Sequence, residues 1–144
     1  MNNQIEEILR NKFCLFRKDN ASIEIYKEVP VYSRSVDLVE YNTKTKELTA
    51  IEFKINDWKR ALQQLNCITM CFDYLVLCIP KPKTQKCILN IYEACKRNGI
   101  GLYLWDKEND VFTHDCIEIN TKNIWEIQKQ NIIKYLKIQE DKDE

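Results

Sequence analysis

Glycine is almost missing from this chain of 144 residues, with only Gly99 and Gly101 present. A phosphate-cradling P-loop or a dinucleotide fingerprint needs several glycines at fixed spacing, so both are excluded. A nucleophile elbow is excluded on the same ground. Histidine is scarcer still, with His114 alone. It stands two residues from Cys116, which in a strand would put both on one face. A catalytic Cys–His pair needs partners oriented to share a proton, and a partly exposed strand histidine is the plainer expectation. Net charge is also lacking, because 22 Lys+Arg balance 22 Asp+Glu. That argues against a sequence-blind nucleic-acid coat protein, whose affinity comes mostly from basic charge on phosphates. It leaves room for a local basic groove beside an acidic site. No apolar run approaches the roughly 18–20 residues of a membrane span. The first seven residues, MNNQIEE, carry no basic region followed by an apolar stretch, so neither a membrane nor a secretory signal is expected.

Cysteine, by contrast, occurs seven times, an odd number, without a CxxC pair. Scattered thiols read as small hydrophobes of a reduced, cytoplasmic protein. A zinc site needs more ligands than one histidine and the i,i+4 pair Cys67 and Cys71 readily supply. A composition 44% hydrophobic and 31% charged suits one globular domain, expected over residues 1–138, with residues 139–144 as an acidic solvated tail.

Periodicity outlines the elements. Ile5, Ile8, Leu9 and Phe13 share one helical face and predict a helix over 3–14. Strands are expected over 23–29, 35–41 and 47–55, the last two joined by a polar turn. Asp57 is placed to cap a helix over 58–71 whose inward face is Trp58, Ala61, Leu62, Leu65 and Ile68. The unbroken run Tyr74-Leu-Val-Leu-Cys-Ile79 predicts a central strand covered on both faces. A helix over 84–97 should end at Asn98-Gly99. Strands over 102–105 and 112–119 and a helix over 122–138, with Ile124, Ile127 and Tyr135 apolar, complete the chain. The order α-β-β-β-α-β-α-β-β-α describes an α/β domain with a mixed central sheet flanked by helices.

Charge inside two of these apolar strands is the chemical signal. Asp37 interrupts Ser35-Val36-Asp37-Leu38-Val39, and Glu52 and Lys54 interrupt Ala50-Ile51-Glu52-Phe53-Lys54-Ile55. Strand side chains alternate, so Glu52 and Lys54 should point one way and Ile51, Phe53 and Ile55 the other. Buried charge is costly unless it is paired or holds a metal. Two carboxylates and a lysine on neighbouring strands suit divalent-metal chemistry on a phosphodiester. Mg²⁺ accepts one or two carboxylates and keeps positions for water and phosphate.

This D-x14-E-x-K arrangement resembles the PD-(D/E)xK nuclease superfamily, with its restriction-endonuclease-like fold. The surrounding order also matches: a helix, an acidic residue early in the second strand, E-x-K in the third, a crossover helix and an apolar fourth strand. The likeness covers about residues 5–79. Val36 stands where the superfamily often has proline. The resemblance implies metal-dependent hydrolysis of nucleic acid, DNA in preference to RNA. Asp37 and Glu52 would hold Mg²⁺ or Mn²⁺, and Lys54 would contact the attacking water or the developing charge. Some members add a glutamate from the first helix. Glu6 borders the apolar face there and is the candidate, its competing reading being a surface residue favoured by the helix dipole. Some branches carry a glutamine on the helix after E-x-K, a position that Gln64 fits. Arg34, Lys59 and Arg60 are the candidate phosphate contacts. Arg34 could equally pair with Glu28 or Glu40. With no second recognition domain, a structure-specific enzyme, a homodimer or a subunit working with a partner would each fit. The competing reading of the whole chain is an inactive domain of this fold that binds nucleic acid or a protein partner.

Overall fold

Strands that follow one another along the chain also lie side by side. The computed structural model describes residues 2–143, with one six-stranded sheet in the order β1-β2-β3-β4-β5-β6. Strands β1 (Ile23–Val31), β2 (Arg34–Asn42) and β3 (Glu47–Phe53) form an antiparallel meander. Helix α2 (Trp58–Cys67) and a 3-10 turn (Thr69–Cys71) then carry the chain across to β4 (Tyr74–Pro80), which runs parallel to β3. Helix α3 (Gln85–Asn98) repeats that crossover to β5 (Gly101–Asp106), and β6 (Val111–Cys116) returns antiparallel at the edge. Helix α1 (Asn2–Arg17) precedes the sheet and α4 (Glu126–Asp143) follows it. The protein therefore has a mixed α/β fold in the element order expected from sequence. Among the described residues, no helix is long and apolar enough to cross a membrane.

Helices cover both faces of the sheet. Leu75, Leu77 and Ile79 of β4 pack in one core with residues of α2, α3 and α4, while Val76 and Cys78 pack in a second core under α1. This is why β4 reads as an unbroken apolar run. Phe13 anchors α1 by edge-on ring contacts to Phe53, Tyr103 and Phe112, with centroids 5.2–5.6 Å apart. Asp57 caps α2 in a left-handed conformation (φ 53°), its carboxylate accepting from the Arg60 amide. Gly99 (φ 67°) ends α3 as expected.

Two helices turn differently from their apolar pattern. On α1 only Leu9 and Phe13 are buried, while Ile5 and Ile8 are 42% and 51% exposed. The helix is rotated because its underside also carries arginines that reach sheet carboxylates. Arg10 pairs with Glu28, and Arg17 grips Glu40 through two hydrogen bonds of 2.9 and 3.1 Å. On α4 the inward residues are Ile132, Ile133 and Leu136, whereas Ile127 is exposed. That helix begins at Glu126 and runs on through Asp143 instead of giving way to a tail at residue 139.

Buried Asp73 fastens α4 to the sheet. Its carboxylate accepts from the Leu48 amide at 2.7 Å and pairs with Lys129 at 3.0 Å. Removing one member of a buried pair strands the other. Asp73→Ala is therefore expected to cost about 3–5 kcal/mol, measured by urea unfolding. Lys129→Met should cost less, because Asp73 keeps its backbone donor.

Candidate functional site

The first two strands do not alternate regularly, and the break builds the site. Leu38 packs under α1, but Val36, two residues away, packs in the opposite core. Tyr26 and Val29 likewise share a core although three residues apart. Both irregularities fall at one level. Lys27 pairs with Leu38 and Val29 with Val36, and the pair between them, Glu28 with Asp37, is skipped. Glu28 has left-handed backbone (φ 50°), uncommon for a residue with a side chain. The flip bends the β1–β2 hairpin toward α2, where the Tyr32 hydroxyl at its turn accepts from Cys71 Sγ at 3.3 Å.

At that bend Asp37 turns toward β3. Its Oδ2 accepts the Phe53 amide at 2.9 Å. The carboxylate thereby takes an amide at the end of the β2–β3 ladder, whose regular pairing stops at Leu38–Ile51. The bond holds it beside Glu52. As expected from alternation, Ile51 and Phe53 face α1, and Glu52 is buried with 6% exposure. Lys54 follows the strand end, its amide bonded to the Cys78 carbonyl.

Glu52 differs from the other buried acids. Glu40 is answered by Arg17 and Asp73 by Lys129. Among the described residues Glu52 has no ion-pair partner within 4.0 Å; its neighbour is another carboxylate. Burial pushes the Glu52 carboxyl up to about 9, helped by repulsion from Asp37 and a hydrogen bond to it. The Lys54 ammonium pulls the other way but does not offset these effects. At neutral pH Glu52 therefore keeps its proton beside Asp37.

A cavity opens on each side of the pair. The first, about 400 Å³, has Glu52 at its base, Arg34 and Val36 on the hairpin wall, and Arg60, Gln63, Gln64 and Ile68 on the α2 wall. The second, about 320 Å³, lies on the α1 side and is lined by Glu6, Glu7, Arg10, Glu28 and Asp37. Expected site residues Asp37, Glu52 and Lys54 thus come together, and Arg34, Arg60 and Gln64 face the same cleft as Glu52. Glu6 faces Asp37 across the smaller cavity, but it does not join the two acids in a three-ligand cluster. Among the described residues, no group of three His, Cys, Asp or Glu side chains does so. Lys59 lines neither cavity and stands 5.7 Å over its neighbour Trp58. Glu28 and Glu40, weighed as partners for Arg34, belong to Arg10 and Arg17 instead.

Sequence reading missed Gln63, Arg10 and Glu28. Gln63 was within reach, since it lies one helical turn from Arg60. Arg10 and Glu28 carry no local signal, because their pairing depends on the left-handed bend in β1.

The raised Glu52 pKa has a direction in stability. Folded Glu52 holds its proton up to about pH 9, whereas the unfolded chain releases it near 4.5. Between these values the native state binds more protons, so rising pH removes stability. Glu52→Gln carries no such titration. Its denaturation midpoint should gain on wild type from pH 4.5 to pH 9, and a difference that ignores pH would contradict a protonated Glu52.

No family model matches the chain, and no curated protein matches it. Among solved structures it is similar to a SPO1766 protein of unknown function from Silicibacter pomeroyi. The TM-score is 0.69 and the identity 14%, covering 94% of this chain and 85% of that one. At this identity the likeness concerns the fold alone, and that fold is the mixed six-stranded sheet with flanking helices described above.

Proposed function

We propose that this protein is a metal-dependent nuclease of the PD-(D/E)xK type, hydrolysing phosphodiester bonds of nucleic acid, DNA in preference. The observation that carries the reading is the unneutralised contact between Asp37 and buried Glu52, with Lys54 beside it. Elsewhere the fold answers each buried acid with a cation, so a purely structural role for this pair leaves its cost unexplained.

The donor set fits Mg²⁺ or Mn²⁺. Both ligands are hard carboxylate oxygens, and Mg²⁺ sites commonly use one or two of these, with water and substrate phosphate in the remaining positions. When bound, the ion would polarise the phosphate and acidify a coordinated water. The chain's own residues supply the rest. Phe53 N–H fixes Asp37. Glu52 yields its proton when a cation gives its charged form a partner. Lys54 places an ammonium where charge grows on the phosphate oxygens. Arg34 and Arg60, on opposite walls of the cleft, hold phosphates flanking the scissile one, and the Gln64 amide positions the strand beside Glu52.

A second reading is an inactive nucleic-acid-binding domain of the same fold; among the described residues no third acidic side chain joins Asp37 and Glu52. Cleavage separates the two. With Mn²⁺ and a mixture of single-stranded, duplex and branched DNA, wild type should cut. Asp37→Ala should abolish cutting, and Lys54→Ala should slow it about 10²–10³-fold, as loss of one charge-stabilising donor does. Cutting that survives in both variants would rule out this site, and no cutting of any substrate would favour the binding domain.

A further inference from the structure

The cleft beside Glu52 has a shape and lining that select among nucleic acids. One wall is the bent β1–β2 hairpin and the other is α2, and the two meet where Tyr32 bonds Cys71, one turn beyond Ile68. About 400 Å³ lies between them, at the small end of the range for small-molecule pockets. Val36 and Ile68 close its floor and are almost wholly covered, so the accessible lining is mainly polar. Gln63 and Gln64 bring two side-chain amides, each able to donate and accept. Arg34 and Arg60 are exposed at opposite walls.

These groups match the parts of a nucleotide. The amides take the hydrogen-bonding edge of a base, and the guanidiniums take the phosphates. A base paired in a duplex has its pairing edge occupied and cannot offer it to these amides. Only a splayed or single-stranded base can.

We propose that this cleft binds one unpaired nucleotide next to the scissile phosphate, so that the substrate is single-stranded or frayed nucleic acid. The inference deepens the nuclease reading and rests on it for the position of the cut, but binding in the cleft needs no metal.

The test is fluorescence anisotropy in EDTA, with labelled single-stranded DNA, single-stranded RNA and blunt duplex DNA. Wild type should bind a single strand about tenfold or more tighter than the duplex, a difference on the scale of one well-held base. Preference for either sugar supports the inference and names the strand. Gln63→Trp fills the cleft from an exposed position and should remove that preference while leaving duplex binding unchanged. Gln63→Glu, which barely alters volume, should weaken single-strand binding in the same way. Equal affinity for duplex and single strand, no binding to either, or indifference to both Gln63 variants would overturn the proposal. If single-strand binding is sensitive to Gln63 and no cleavage occurs with Mn²⁺, the nuclease reading fails and this inference stands. If cleavage is lost in Asp37→Ala but indifferent to Gln63 and to strandedness, the reverse holds.

Discussion

A single hydrogen bond, from the Phe53 amide to the Asp37 carboxylate, places the rest of the site. It lets a side chain stand in for backbone at the point where the β2–β3 ladder ends. Asp37 is thereby held against Glu52, an acid that the core has already removed from water. Neither group can relax away: one is tied to β3 and the other is part of β3. The cost appears in the raised pKa of Glu52. A fold that answers Glu40 with a forked Arg17 and Asp73 with Lys129 and a backbone amide has the means to neutralise a buried acid. Among the described residues Glu52 has no such partner, and the proposed metal ion would supply one.

The bend at Glu28 and Asp37 links this electrostatic arrangement to shape. By flipping both strands at one level, it turns Val29, Val31 and Val36 into the core shared with α2 and carries Tyr32 to Cys71. The same distortion that frees Asp37 from strand pairing therefore creates the cleft above Glu52. Arg10 holds the bend from the other face, pairing with Glu28, which also accepts from Ser35 Oγ at 3.0 Å. Rigid strands supply two carboxylates, and a curved hairpin supplies the wall that a substrate would meet. Irregular strands next to functional groups commonly serve this purpose, re-aiming a side chain that regular pairing would misplace.

Much of the fold was legible because it rests on periodicity and capping. The order of elements, the doubly covered β4, the Asp57 cap and the Gly99 stop are local patterns, and each is present as expected. The alternation of Glu52 against Ile51 and Phe53 was equally readable. What escaped depends on contacts between distant segments. The rotation of α1 follows from arginines reaching Glu28 and Glu40, which no helical wheel contains. The face of α4 follows from Lys129 meeting Asp73. A left-handed Glu28 has no sequence mark comparable to glycine, so the bend, the cleft and the Arg10 brace were invisible one residue at a time. Residues 139–143 continue helix α4, and Tyr26 of the first strand donates to Glu140 there at 3.2 Å. Composition alone reads that stretch as solvated charge.

The central claim is that burial and the neighbouring Asp37 keep Glu52 protonated at neutral pH, and that the proposed metal ion would release that proton. Carbon-13 NMR of the Glu52 carboxyl, titrated with pH in the absence and presence of Mg²⁺, measures this directly. The account predicts a midpoint far above that of an ordinary glutamate without the ion, and a fall by more than one pH unit when Mg²⁺ is added. An ordinary midpoint without the ion, or a raised midpoint that Mg²⁺ leaves unmoved, would contradict it.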